Sequence, residues 1–110
     1  MTKTPNFREF YQSAPISIGE NDRLAMRNTA AALESVDSFT HWLIALEGEE
    51  YNSNTIHWKV VIYPLRANGE FDYLLPYFVS SIFESIHEGI EFMKQLTNIA
   101  KQDQLAAIHT

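Results

Sequence analysis

Residues 56–70 read IHWKVVIYPLRANGE, and the fold turns on how they are read. Ile56, Trp58, Val60 and Ile62 alternate with His57, Lys59, Val61 and Tyr63, the period of a β-strand over Ile56 to Leu65. Asn68-Gly69 follows. An Asn-Gly pair accepts the positive φ values of a type I′ turn, so it predicts a two-residue hairpin loop that pairs Ala67 with Glu70. That register sets Ile62 opposite Leu75 and Val60 opposite Tyr77. Trp58, Val60, Ile62, Tyr73, Leu75, Tyr77 and Val79 then share one face. Lys59, Val61, Tyr63, Leu65, Asp72, Leu74 and Phe78 share the other. Both faces are apolar, whereas a sheet with one solvated face alternates more cleanly. The second face therefore calls for a cover, from the N-terminal helices or from a second subunit. Pro76 cannot donate to the ladder and marks the third strand as an edge.

Upstream, residues 39–46 (Phe-Thr-His-Trp-Leu-Ile-Ala-Leu) suit a strand, although Phe39, Leu43 and Leu46 also fit a helical stripe. Glu47 to Asn54 reads as the connecting loop. At the N-terminus, Thr4 and Pro5 open a short helix with Phe7, Phe10 and Tyr11 on one stripe, ended by Ala14-Pro15. Ile16 and Ile18 form a short extended piece. A second helix is expected over 21–35, with Asn21 or Asp22 as cap and Met26, Ala30 and Leu33 inward. Downstream, Ser81/Glu84 and Ser85/Glu88 are two overlapping capping boxes for a long C-terminal helix. Its apolar arc spans about 200°, wider than one buried face requires. The excess falls on Phe92 and Ile99, which become candidates for a second contact. Gly89 is read as a close-packing point of helix on sheet, and 103–110 as a continuation or a fraying tail. The expectation is one α+β domain over 1–110: an N-terminal segment (1–18), N-terminal helices, a three-stranded antiparallel meander and a long C-terminal helix on the sheet.

Composition narrows the function classes. The 110 residues are 45% hydrophobic and include seven Phe, five Tyr and two Trp, enough for a core without staples. There is no cysteine, so disulfides, thiolate metal sites and a cysteine nucleophile are excluded. Met1-Thr2-Lys3-Thr4 opens no apolar run of a signal peptide, and no run is long enough for a membrane helix. The expected location is the cytoplasm. Fourteen acids against eight bases give a net charge of −6. This argues against direct nucleic-acid binding and against a polybasic membrane contact.

No catalytic or cofactor motif stands in the chain. His41, His57, His87 and His109 form no H-x-x-x-H pair, and the glycines build no phosphate loop, so no metal or cofactor is assigned. From Asn28 to Trp58 there is no Lys or Arg, while Glu34, Asp37, Glu47, Glu49 and Glu50 fall there. Glu47, Glu49 and Glu50 crowd one segment beside Tyr51. Carboxylates with an aromatic anchor suit docking on a basic protein surface.

The leading expectation is a small non-enzymatic interaction or regulatory protein. It would act through Glu47, Glu49, Glu50 and Tyr51, or through Phe92 and Ile99, on a basic protein partner or on a second copy of itself as a homodimer. An accessory factor, an inhibitor of a nucleic-acid enzyme and an immunity-type protein all fit. The alternative is a small-ligand domain with an apolar pocket between sheet and helix, near Phe71, Tyr73, Tyr77 and Phe78. A third reading is a hydrolase or isomerase that pairs His57 or His41 with a glutamate.

Overall fold

The computed structural model of the chain describes residues 9–29, 38–52, 55–71 and 76–108. In order these form β1 (Glu9–Gln12), β2 (Ile16–Ser17), α1 (Glu20–Thr29), β3 (Phe39–Asn52), β4 (Thr55–Arg66), β5 (Phe78–Val79), α2 (Ile86–Lys101) and a 3₁₀ turn at Leu105–Ala107. The fold is α+β, with an antiparallel sheet of five strands. The strand order is β1-β3-β4-β5, and β2 shares the β1 edge of β3. The expected three-stranded meander is matched only in part: β3, β4 and the two-residue β5 are neighbours within a five-stranded sheet.

The first correction is at the N-terminus. Residues 9–12, expected in a helix, are strand, with Phe10 opposite Glu47 and Tyr11 opposite Leu46. A lone helix of two turns is marginal in water, whereas the open edge of β3 satisfies a full ladder. Period two also serves the rings better. Phe10 packs on one face of the sheet, and Tyr11 lies against Trp58 on the other, with centroids 6.3 Å apart. Ala14-Pro15 breaks the edge between β1 and β2, and Ser13 N–H bridges the break to the Ile44 carbonyl at 3.0 Å. Ile16 and Ile18 are extended and buried, as their pattern predicts. The second expected helix is present as α1, with Met26 fully buried; Ala30 and Leu33 lie outside the described residues.

β3 is a strand along its whole length, which decides the strand-or-helix ambiguity of 39–46. It also runs six residues past the expected end, so Glu47 to Asn52 is strand and not loop. Trp42 to Gly48 is buried without interruption, the mark of a central strand covered on both faces. On the helix side, Trp42, Ile44, Leu46, Trp58, Val60 and Ile62 meet Met26, Leu96, Ala100 and Leu105. The opposite side holds Leu43, Ala45, Val61, Tyr63 and Leu65, with Phe10 and Phe71 against them. These five are buried within the single chain. The second apolar face is real, but it does not by itself ask for a second copy.

The Asn68-Gly69 turn exists in a different form. Gly69 N–H bonds the Arg66 carbonyl at 2.9 Å, Arg66 N–H bonds Glu70 at 2.9 Å, and Gly69 has φ +89°. Asn68 is not among the positive-φ residues. A type I′ turn needs positive φ at both central residues. The loop is instead the three-residue kind, Ala67-Asn68-Gly69, with Gly69 taking the left-handed position and Asn68 Oδ1 accepting Glu70 N–H at 3.0 Å. The register beyond it moves as well: Ile62 pairs with Phe78, and Val61 with Val79. The shift from the expected Leu75 is three residues, an odd number. It therefore carries Phe78 to the helix side and Val79 to the other, where Val79 is exposed. Tyr73, Leu75, Asp72 and Leu74 lie outside the described residues. One more irregularity follows at Ser80, whose Oγ accepts Val60 N–H at 2.8 Å. Four residues from Val79 to Phe83 match three from Val61 to Trp58, a bulge on the edge strand.

α2 starts at the second capping box. Ser85 Oγ accepts His87 N–H at 3.1 Å. Gly89 is buried, and a Cβ there would stand 2.6 Å from Leu46 Cδ1, so helix and sheet approach as closely as the sequence suggests.

Candidate interaction surface

The ladder of β3 and β4 dictates where the acidic segment goes. Glu47 faces Lys59, Gly48 faces Trp58, Glu49 faces His57 and Glu50 faces Ile56. Side chains alternate along a strand, so the three glutamates divide. Glu47, Glu49 and Tyr51 share the face of Lys59 and His57. Glu50 lies on the other.

Glu47 is only 1% exposed. Its carboxylate accepts a hydrogen bond from the Tyr63 hydroxyl, and Lys59 Nζ stands 4.0 Å from its other oxygen. Burial pushes the Glu47 carboxyl above its ordinary value; the Tyr63 hydrogen bond and the Lys59 charge oppose that rise, and Glu49 adds to it. The expectation that Glu47 stands on an exposed loop is therefore corrected. It is the buried end of a polar network and presents no surface of its own.

Glu49 and Tyr51 are outward. Lys59 Nζ lies 3.3 Å from Glu49, so one ammonium serves two carboxylates and the group keeps one net negative charge. Tyr51 is 67% exposed, and its ring stacks on His57 with centroids 4.1 Å apart and planes inclined by 20°. The stack holds the phenol in place without covering it. Glu50 is exposed on the reverse of the same hairpin end. Two further acids stand at the start of α2. Phe83 bridges to Trp58, and Gly89 packs on Leu46 and Trp58, which sets the start of α2 over this end of the sheet. Glu84 and Glu88 are exposed on that start. Sequence reading takes Glu84 as a capping residue and Glu88 as a cap and part of the polar side of the helix, and assigns neither to a contact.

Phe92 and Ile99 are placed differently from the acidic group. Phe92 packs its ring on Phe83 at 5.5 Å and on Phe78 at 6.4 Å, and Ile99 lies against the helix-side core. Both are half-buried, and Phe78 and Phe83 on the edge side of the sheet account for part of the wide apolar arc of α2, of which Ile86 stays exposed.

Among the described residues, His41 and His57 stand far apart. His41 faces Leu65 and His57 faces Glu49, eight residues apart along β3, or about 26 Å at strand rise. His41 Nδ1 pairs with Thr40 Oγ1 at 2.8 Å, and His87 is exposed on α2. His109 lies outside the described residues. Among the described residues no group of three or more His, Asp or Glu could hold a metal ion. An open trough of about 400 Å³ runs along α2, lined by Ser13, Met93, Lys94, Thr97 and Asn98. It lies where α2 passes the β1–β2 edge of the sheet. Its hydroxyls are turned inward, Ser13 to the Ile44 carbonyl and Thr97 to the Met93 carbonyl. No helix among the described residues is long and apolar enough to cross a membrane. Comparison of the chain with known protein families, curated proteins and solved structures finds no match.

Proposed function

We propose that the chain is a non-catalytic docking module, and that it engages a basic protein surface with the end of the β3–β4 hairpin. Tyr51 is the anchor. Glu49 and Glu50 flank it, and Glu84 and Glu88 extend the negative potential onto α2. The observation that carries this reading is the stacked, two-thirds exposed ring of Tyr51 at the hairpin end, with exposed Glu49 on its own face of the strand and exposed Glu50 on the other. A fixed aromatic ring supplies buried area on contact at little entropic cost. The carboxylates around it steer a partner of opposite charge and exclude other acidic surfaces.

Glu47 has a supporting part in this scheme. Lys59 stands between it and Glu49, so Glu49 has a shared counter-ion. A homodimer would need the contact to be made by another surface, since two acidic hairpin ends repel each other.

The test is capture of partners at low and at high salt, with wild type beside Glu49→Lys/Tyr51→Ala. Both positions are exposed, so the double variant keeps the fold. A stoichiometric basic partner held at low salt, released at high salt and absent from the variant supports the proposal. Capture that is indifferent to the two substitutions removes the hairpin end from the contact.

A further inference from the structure

α1 and the C-terminal segment cap each other. The Asp103 carboxylate accepts Asn21 N–H through Oδ2 and Asp22 N–H through Oδ1, both at 2.8 Å, at the start of α1. The Asp22 carboxylate returns the arrangement: it accepts Leu105 N–H at 3.1 Å and Ala106 N–H at 2.9 Å, at the start of the 3₁₀ turn. Asn21 Nδ2 adds a fifth bond, to the Asp103 carbonyl at 3.0 Å. Each carboxylate thus satisfies the orphan donors of the other's helix.

Three details show that the arrangement is built and is not a chance contact. Asp103 has φ +58°, a left-handed conformation that turns the chain back on itself after α2. Asp22 is fully buried, an unusual place for a carboxylate. Gly19 is the only residue type that fits its site, since a Cβ there would stand 2.1 Å from Asp103 Cγ.

The remaining ties of the segment are few. Among the described residues, its other backbone bonds stay within the segment or reach the last turn of α2: Gln102 to Asn98 and Ile99, Asp103 to Ala100, Gln104 to Ile99, Ala107 to Gln104, Ile108 to Leu105. Leu105 is its one fully buried apolar anchor, with Ile108 partly buried against the same core. The sheet, by contrast, is held by the long β3–β4 ladder, in which this segment has no strand.

We infer that residues 102–108 form a strap that opens and closes on α1 as one unit, independently of the sheet, and that Asp22 and Asp103 are the two halves of its latch. Breaking either half frees the other, because each carboxylate is positioned by the helix start it caps. Opening withdraws Leu105 from the helix-side core and bares the first turn of α1 beside Met26. The strap belongs to the low-stability end of the fold, where local opening needs only a fraction of the global unfolding free energy. This device is separate from the docking surface proposed above.

The test is amide hydrogen exchange on the full chain, read residue by residue by NMR. Four amides report the latch: Asn21 and Asp22 on one side, Leu105 and Ala106 on the other. In wild type they should exchange at one common opening equilibrium, well above that of Ile44 and Ile62 in the sheet. Asp103→Asn keeps the left-handed residue and its shape but loses the charge and one acceptor. It should speed all four amides together by about tenfold or more, with Ile44 and Ile62 unchanged. Asn21→Ala removes an exposed bond only, so it folds, and should speed the same four by a smaller factor. Acceleration of Asn21 and Asp22 alone would show two independent caps and overturn the strap. Acceleration of the sheet amides in step with the four would show that the segment opens only with global unfolding, and would overturn it equally.

Discussion

The Tyr63 hydroxyl reaches the Glu47 carboxylate across the Ala45–Val61 rung of the β3–β4 ladder. Tyr63 is in register with Leu43 and Glu47 with Lys59, so the bond spans four positions along the ladder, two steps on their shared face. The small side chain of Ala45, fully buried beneath it, leaves room for both to lean together. Removing the donor strands a buried carboxylate. Tyr63→Phe should therefore cost about 1–3 kcal/mol in urea unfolding. Glu47→Gln keeps an oxygen for the hydroxyl and drops the buried charge, and should cost less than Tyr63→Phe at neutral pH.

The same pair sets a pH dependence. Burial raises the folded pKa of Glu47 above 4.5 and that of Asp22 above 3.8. A carboxyl with a raised folded pKa binds its proton more tightly in the native state than in the unfolded one. Its contribution to stability is complete below the unfolded value. It is lost as pH rises through the folded value. Urea midpoints of wild type should fall across that window above pH 4.5, and Glu47→Gln should flatten the fall. A variant with the wild-type slope would mean that Glu47 titrates as it does in the unfolded chain.

Gly89 tests the approach of α2 to the sheet. Alanine is the better helix former by about 1 kcal/mol. A methyl at Gly89 would nevertheless stand 2.6 Å from Leu46 Cδ1, and Leu46 is fully buried with little freedom to move aside. Overpacking of this kind costs about 1–3 kcal/mol. Gly89→Ala should therefore be destabilising on balance. The double variant with Leu46→Val should be less destabilised than the two single effects added, as a double-mutant cycle would read.

Gly69 isolates a purely conformational effect. Its φ is +89°, and a Cβ there meets nothing within 4 Å. Gly69→Ala should cost about 1–2 kcal/mol through the left-handed backbone alone. Asn68→Ala, which loses the bond to Glu70 N–H, should cost less.

What the sequence made legible follows the strength of the local signal. The alternation of 56–65 named β4 and its two faces correctly. The capping boxes, the helix stripe and Gly89 located α2 and its closest contact. The errors arose where a local signal had two physical outcomes. Phe7, Phe10 and Tyr11 fit a helical stripe, but only the vacant edge of β3 decides that residues 9–12 extend. Asn68-Gly69 announces a hairpin, but the choice between two- and three-residue loops depends on φ at Asn68, and an odd shift in register moved Phe78 and Val79 to opposite faces. The acidic segment was legible as composition and not as geometry. Alternation along an unexpectedly long strand sends Glu47 inward to Tyr63 and leaves Glu49, Glu50 and Tyr51 outside. Nothing local could reveal the partnership of Asp22 and Asp103, since more than eighty positions separate them and each caps a helix start in another part of the chain.

The most direct test of the docking surface is an NMR titration of the labelled chain with an oligolysine peptide, followed at low and at high salt. Shift changes should concentrate at Glu49, Glu50, Tyr51 and His57, continue onto Glu84 and Glu88, and vanish at high salt. Changes spread evenly over exposed acids elsewhere, such as Glu20, Glu70 and Glu91, would contradict the docking surface, because the hairpin end would then be no better a basic-surface contact than any other carboxylate on the protein.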